Sequence, residues 1–198
     1  TQIFEIAPRA ATLMQGSKLF VIGVSLVTIG IAFKVSVFPF HAWTPDVYQG
    51  APTSVTAFMA TVVKLVMFAV FLRLATEHFF ANNQKLVLLV SSMAILTMVV
   101  GNISAIVQEN IKRIVAYSSV AHAGYMMIGV IIAMNSRTAD AATATLFYVI
   151  AYSVMNIGVF AVISLVEKEE RGHLSISDYA GLGFKYPFLG LAMSVFML

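Results

Sequence analysis

Apolar runs long enough to cross a lipid bilayer recur along this chain and constrain its fold more than any other feature. The runs lie at about residues 19–38, 54–75, 86–107, 114–134, 142–166 and 186–198. A helix needs about 20 apolar residues to cross the hydrocarbon, whereas the strands of a membrane barrel are shorter and alternate in polarity. We therefore predict an all-α, polytopic transmembrane bundle over residues 1–198, with five complete spans and the start of a sixth. Because the sequence opens without Met and stops inside an apolar run, we interpret it as an internal fragment.

The composition favours an integral membrane protein. Hydrophobic residues make up 60% of the 198 residues and charged residues 11%, and the mean hydropathy is +0.90. A water-soluble domain needs more charged surface than this. The net charge of +3 is spread over the connections, so no basic stripe for nucleic acid is formed. The absence of cysteine excludes disulfides and cysteine-ligated zinc or iron–sulfur sites within this sequence.

The connections between the runs are short and carry most of the charge. The longest contains EKEER at 167–171, which we interpret as a solvated helix end. Lys and Arg are balanced between the two predicted sides, so the positive-inside rule predicts no orientation. Since the sequence has no Walker loop and no dinucleotide, metalloprotease or hydrolase motif, we predict neither a catalytic residue nor a metal site in this chain.

One lysine stands in the middle of the second apolar run. Lys64 is flanked on both sides by mostly apolar residues, in VTAFMATVVKLVMFAVFLRL. Such a lysine costs at least about 2.5–3.5 kcal/mol on insertion scales. Two interpretations are open: a lysine paired for structural reasons, or a protonatable group that faces a hydrated interior. We favour the second, because a buried lysine can both donate and accept a proton.

A second lysine lies near the end of the first run, beside a helix breaker. Lys34 alone is close enough to that end to reach the interface by extending its side chain. Pro39, however, removes a helix hydrogen bond, and such an interruption survives at membrane depth only against protein or water. Broken helices beside ionisable residues recur in transport sites. We predict that the first span is broken near Pro39 and that Lys34 and Lys64 face one polar interior.

Further polar and small residues are of interest. The exit from the first run carries His41, Trp43, Pro45 and Asp46. An interfacial anchor is the alternative to a functional role for His41. His122, in YSSVAHAGYMM, can pass protons between its two ring nitrogens, and a hydrogen bond to a neighbouring helix is the alternative. Glycines within the predicted helices should permit close helix packing; they are Gly30, Gly101, Gly124, Gly129 and Gly158.

Long segments of the chain resemble a known family. FKVSVFPFHAWTPDVYQGAPTSVTAFMATVVK and GNISAIVQENIKRIVAYSSVAHAGYMMIG resemble the core of the subunit N family of bacterial respiratory complex I (NADH-quinone oxidoreductase). The likeness continues through ATATLFYVIAYSVMNIGVFAVISLV and covers nearly the whole chain. The wider group is the antiporter-like proton-translocating family, which includes the Mrp-type cation/proton antiporters. HAWTPDVYQGAP favours the subunit N family, because its antiporter relatives usually have Leu in place of Thr44 and an alanine-rich sequence instead of VYQG.

The resemblance implies a proton path through this chain. Lys34 matches the lysine of a discontinuous helix, Pro39 matches its break, and Lys64 matches the lysine of the next helix. In the family, these lysines belong to a central hydrophilic axis, and His122 matches a polar position near it. The loop after Pro39 would shape one end of the path. A glutamate that would pair with Lys34 and a further basic residue lie outside this chain, so we expect that the fragment alone does not pump protons.

The resemblance also implies a cellular setting. The chain would belong to a proton-translocating, multi-pass subunit of NADH-quinone oxidoreductase in the inner (plasma) membrane of a bacterium, in contact with lipid and with other membrane subunits of complex I. NADH, flavin, iron–sulfur clusters and quinone would bind to partner subunits, and this chain would hold no cofactor. Two alternatives are open: a Mrp-type cation/proton antiporter subunit, and a structural membrane subunit without a relay role.

Overall fold

The computed structural model describes residues 18–76, 84–136, 139–169 and 175–197, and the regular elements within these ranges are all helices. Among the described residues, β-type pairing is limited to one antiparallel bridge between Asn110 and Ser175. The all-α prediction is confirmed for these ranges. Helices suit such apolar sequence because each backbone amide and carbonyl is satisfied within its own segment, without water.

The helices follow one another along the chain with short connections. They are α1 (Lys18–Val35), α2 (Trp43–Gly50), α3 (Thr53–Phe58), α4 (Lys64–Thr76), α5 (Gln84–Ile106), α6 (Ile111–Ser136), α7 (Ala139–Glu169), α8 (Leu182–Lys185) and α9 (Pro187–Met197). A π-helical turn, Met59–Val63, joins α3 to α4, and a 3₁₀ turn, Ile176–Tyr179, precedes α8.

Within the described ranges, four helical segments are long and apolar enough to cross a membrane, by length and composition. These are Thr53–Thr76, Leu86–Ile106, Ile111–Asn135 and Asp140–Glu167. They coincide with the second to fifth predicted runs. The first and last runs correspond to shorter apolar helices, Ile22–Val35 and Pro187–Met197.

The helix of the first run is shorter than the run itself. It ends at Val35, and the next helix begins at Trp43. Ser36 has a φ of 66°, in the left-handed region, which cannot continue a right-handed helix. The helix therefore ends before Pro39, and Pro39 lies within the turn that follows.

A side-chain cap extends α6 beyond its apolar run. The side-chain oxygen of Asn110 accepts hydrogen bonds from the amides of Lys112 at 3.0 Å and Arg113 at 3.3 Å. Asn is a preferred residue at this position because its oxygen satisfies amides that lack a partner in the first turn. Lys112 thus lies in a helix, where its side chain is buried, and not in a connection.

The glycines on the helices mark where backbones approach each other. The close-packing prediction is confirmed at Gly101, Gly124, Gly129 and Gly158, where an added Cβ would overlap a neighbouring helix. At Gly101 that Cβ would lie 2.7 Å from the backbone nitrogen of Ala121. Gly30 differs, because no atom of the described residues would lie within 4 Å of its Cβ. The packing prediction for Gly30 is therefore wrong within this part of the chain.

Candidate functional site

Lys64 lies in the middle of the 24-residue helical segment Thr53–Thr76. The residue is buried, with a relative exposure of 1%. The π turn Met59–Val63 directly precedes it. Because a π turn holds more residues than an α turn, it rotates the residues that follow about the helix axis. Lys64 is thereby directed towards α6 and α7.

The amine of Lys64 contacts the middle of α6. Nζ donates to the backbone carbonyl of Ser119 and to its Oγ, the latter at 2.6 Å. The hydroxyl of Tyr152, on α7, donates to the same Oγ at 2.8 Å. Nζ also lies 5.7 Å from the centroid of the Tyr152 ring, within the range of a cation–π interaction. Ser119 therefore links the amine of α4 to the phenol of α7.

The partners of Lys64 are all uncharged. Two ion pairs of the described side chains lie elsewhere, between Lys112 and Glu167 and between Arg113 and Asp46. A buried charge without a counter-ion is costly, and a carbonyl, a hydroxyl and a ring face offset only part of that cost. The Lys64 amine therefore lies in a buried site whose described partners carry no opposite charge.

His122 lies beside the same cluster. Its ring centroid is 5.1 Å from that of Tyr152, and its Nδ1 is 2.8 Å from the hydroxyl oxygen of Tyr148. His122 follows Ser119 by about one turn of α6, and Tyr148 precedes Tyr152 by about one turn of α7. Lys64, Ser119, Tyr152, His122 and Tyr148 thus form a polar row between the two helices. We call these five residues the lysine cluster.

The structure does not bring Lys34 to the lysine cluster. The Lys34 side chain is exposed on the surface of the described chain. It stands in the last turn of α1, where a cation is favoured by the partial negative charge of the helix end. A shared polar interior for Lys34 and Lys64 stays a prediction.

Side chains replace missing helix hydrogen bonds in the turn that follows α1. The amide of Phe38 donates to Oγ1 of Thr97, on α5, at 2.9 Å. The indole nitrogen of Trp43 donates to the carbonyl of Phe33 at 3.0 Å, and the two rings stack with centroids 5.4 Å apart. Pro39, which has no amide to satisfy, is exposed. The turn is therefore fixed by contacts with α1 and α5.

The other predicted loop residues differ in burial. Pro45 is buried in α2, whereas Asp46 is exposed and pairs with Arg113 at 2.6 Å. His41 stacks on Phe38 with ring centroids 5.5 Å apart. Its Nδ1 is buried and has no hydrogen-bond partner among the described residues. None of these contacts reaches the lysine cluster directly.

Sequence reasoning missed Ser119, Tyr148 and Tyr152. Single hydroxyl residues are common in apolar helices, because their side chains can hydrogen-bond to the backbone of their own helix. Their presence therefore did not indicate a functional site. Spacing was the available clue. Ser119 and His122 lie about one turn apart, as do Tyr148 and Tyr152, and each pair therefore shares a helix face.

The first residue of EKEER, Glu167, is half-buried and paired rather than fully solvated. Glu167 accepts hydrogen bonds from the buried Lys112, at 3.0 Å, and from the hydroxyl of Thr53. Packing of α6 against α7 brings these groups together, which the local sequence does not indicate. The prediction for residues 170 and 171 falls outside the described residues.

Comparison with known proteins decides the family. The family model described as NADH:quinone oxidoreductase/Mrp antiporter, TM, matches residues 1–198. The chain belongs to this family. The membership confirms the resemblance found in the sequence, and the buried lysine of α4 is thereby placed within the NADH:quinone oxidoreductase/Mrp antiporter fold.

Individual members of the family agree with this assignment. NADH-quinone oxidoreductase subunit N of Bdellovibrio bacteriovorus is 49% identical over 100% of this chain and 41% of its own length. Respiratory complex I from Thermus thermophilus with bound aureothin contains a chain that is 34% identical, with a TM-score of 0.74, over 96% of this chain and 43% of that chain. The Mrp complex from Dietzia sp. DQ12-45-1b contains a chain with a TM-score of 0.69 at 21% identity, over 80% of this chain and 29% of that one, which shows a shared fold. The chain thus spans less than half the length of these relatives.

Proposed function

We propose that this chain is the central membrane part of a proton-translocating subunit of a bacterial NADH-quinone oxidoreductase. The identity to a subunit N over the whole chain supports the assignment to that enzyme rather than to an antiporter. The whole subunit would cross the plasma membrane many times and contact lipid and other membrane subunits. NADH, flavin, iron–sulfur clusters and quinone would be bound by those partners, which would carry out the electron transfer.

The observation that carries the proposal is the surroundings of the Lys64 amine. The buried amine, at the middle of an apolar helical segment, is hydrogen-bonded to a serine and faces a tyrosine ring, and no carboxylate of the described residues pairs with it. A lysine kept for structure alone would be expected to have a counter-ion, since an unpaired buried charge is destabilising. A lysine that must gain and lose a proton is better served by neutral partners.

Protons would pass along the lysine cluster. Hydroxyl groups and imidazole both donate and accept, so Ser119, Tyr152 and His122 can each exchange a proton with a neighbour. Tyr148, at the outer end, is 38% exposed in this chain and would hand protons to groups outside it. His122 therefore acts as a relay in this proposal, although its hydrogen bond to Tyr148 also fixes its ring.

The interrupted first span supplies the second lysine. In this proposal α1 and α2 are the two halves of one membrane span, broken across residues 36–42 near Pro39. With the four long helices this gives five spans, and α9 begins a sixth. Lys34, exposed at the end of α1, would be covered by a carboxylate-bearing segment of the complete subunit. His41, Trp43, Pro45 and Asp46 would shape one end of the path.

Replacing Ser119 by Ala in the complete subunit tests this path. The variant loses the Oγ that contacts both Lys64 and Tyr152 but keeps the backbone carbonyl that Lys64 also contacts. We therefore expect a partial loss, about tenfold, in proton transfer coupled to NADH oxidation, at the low end of what a proton-transfer partner contributes. The measurement is the quenching of a pH-sensitive dye in vesicles that contain the assembled enzyme. Ser118→Ala, at the half-buried neighbouring position, is the matched control, and equal rates for both variants would contradict the path.

A further inference from the structure

A second buried cation lies at one end of the bundle and takes no part in the lysine cluster. Lys112, in the first turn of α6, has a relative exposure of 2%. Its Nζ lies 3.0 Å from Oε1 of Glu167, near the end of α7. The hydroxyl of Thr53 donates to the other carboxylate oxygen of Glu167, and Nζ of Lys112 also lies 3.5 Å from the carbonyl of Ala51. We call Lys112, Glu167 and Thr53 the latch.

The latch fixes the corner between α2 and α3. Ala51 is extended there, with φ −82° and ψ 153°, and Pro52 follows without an amide to donate. The amide of Ala51 donates to the carbonyl of Val47, and the hydroxyl of Thr56 donates to the carbonyl of Tyr48, so local hydrogen bonds hold part of this corner. The latch brings α6 and α7 to the carbonyl of Ala51 and the first residue of α3.

The corner is rigidly connected to Lys64. α3 begins at Thr53 and continues through the π turn into α4, whose first residue is Lys64. Lys112 and Ser119 lie about two turns apart on α6, or about 10 Å along its axis. The segment Thr53–Thr76 is thus attached at two heights, through the latch and through the Lys64 amine. Two attachments fix both the height of the segment and its rotation.

Glu167 has another neighbour that leaves the charge of the latch unchanged. Tyr179, in the 3₁₀ turn before α8, interacts electrostatically with Glu167. Burial raises the pKa of Tyr179 to about 12, so its hydroxyl stays neutral at physiological pH. The charges within the latch are therefore those of Lys112 and Glu167, which balance each other.

We propose that the latch is a positioning device, which holds the segment Thr53–Thr76 where the Lys64 amine reaches Ser119. The inference rests on the proposed function for its effect on proton transfer, but its effect on the corner is independent of that function. A positioning role depends on the pair's geometry and burial and not on its protons. A pair of apolar side chains of similar size can therefore replace the ion pair, because such exchanges of buried ion pairs are often neutral.

The test compares single and double variants in the complete, assembled enzyme. Glu167→Met leaves the buried Lys112 amine without its counter-ion, and Lys112→Met does the same to the half-buried carboxylate of Glu167. We expect coupled proton transfer to fall about tenfold in each, less than the roughly 100-fold that a 1 Å misplacement of a reacting group can cost. The double variant, Lys112→Met with Glu167→Met, should recover most of the loss. Thr53→Val keeps the ion pair and should cause a smaller loss. It tests the latch if the single variants fail to assemble. Glu109→Gln, an exposed carboxylate near the same end of α6, is the control.

Hydrogen–deuterium exchange at the amides of residues 51–56 gives a reading that does not depend on transport. Faster exchange in the single variants and native exchange in the double variant support the latch. A double variant that has native exchange but stays as inactive as the single variants would overturn it, because the pair would then carry protons itself. Native exchange in every variant would also overturn it. If the corner loosens while transport stays normal, the positioning role of the latch is overturned, whereas the proposed function of Lys64 is tested separately by replacing Lys64 itself.

Discussion

Replacing Lys64 by Met in the complete subunit is expected to slow coupled proton transfer by about 100-fold or more, as the loss of a positioned proton donor and acceptor does elsewhere. Met is unbranched and flexible, so it can fill the buried space beside Ser119 and Tyr152 without leaving a charge there. The enzyme should therefore assemble normally. Vesicles with purified enzyme allow acidification and NADH oxidation to be measured on the same sample.

Two further variants separate charge from proton exchange. Lys64→Arg keeps the positive charge but should also lose transfer, because arginine holds its proton throughout the physiological pH range. Lys18→Met removes an exposed lysine from the start of α1 and should transfer protons at the normal rate. Normal transfer by an assembled Lys64→Met enzyme would contradict the relay role of this lysine.

Replacing Gly101 by Ala is expected to destabilise the bundle by about 1–3 kcal/mol, the usual cost of overpacking a well-packed contact. The added Cβ would lie 2.7 Å from the nitrogen and 3.0 Å from the Cα of Ala121. Both are backbone atoms, so α5 and α6 would have to separate. Ser119 lies on α6, as Ala121 does, so a shift of α6 should reduce proton transport as well as stability. The amount of assembled enzyme and its melting temperature in detergent measure the effect.

Gly30→Ala is the matched control for this packing prediction. It makes the same change in a helix, but no described atom lies within 4 Å of the new Cβ. Because Ala favours a helix by about 0.8–1.0 kcal/mol over Gly, this variant should be as stable as the parent or slightly more stable. Equal melting temperatures for the two variants would show that the α5–α6 contact tolerates a side chain.

The helical bundle could be predicted because its signal is local. Each run of apolar residues is long enough to form a helix, whatever its neighbours are. The burial of Lys64 could also be expected, since the residue is too far from either end of its run for its side chain to reach the membrane surface. The family resemblance implied that Lys64 belongs to a proton path. Composition alone does not indicate this.

The contacts between helices could not be predicted, because they depend on tertiary packing. In the sequence, Glu167 follows an apolar run and resembles a solvated helix end. Its ion pair with the buried Lys112 depends on the packing of α6 against α7. Ser118 and Ser119 both lie about one turn before His122, and only the direction of Lys64 distinguishes between them. The π turn Met59–Val63 that sets this direction could not be predicted, because the same residue types also occur in regular membrane helices.

The surroundings of Lys34 also could not be predicted from the sequence. Its position beside a break indicated a polar interior, yet it is exposed in the described chain. The chain covers 41% of the length of the Bdellovibrio relative, so much of the surface of this fragment would be covered in the complete subunit. An ionisable residue in a membrane helix is expected to have a partner, and that partner would lie in the remaining segments.

A structure of the complete subunit in a lipid bilayer, at a resolution that reveals ordered water, tests the central claim most directly. If Lys64 is part of a proton path, water molecules or protonatable side chains should connect its amine and Ser119 to Tyr152 and His122 at hydrogen-bond distances, and continue from Tyr148 into the rest of the subunit. A dry cluster, closed at Tyr148 by apolar side chains or lipid and with the Lys64 amine enclosed by Ser119 alone, would contradict it.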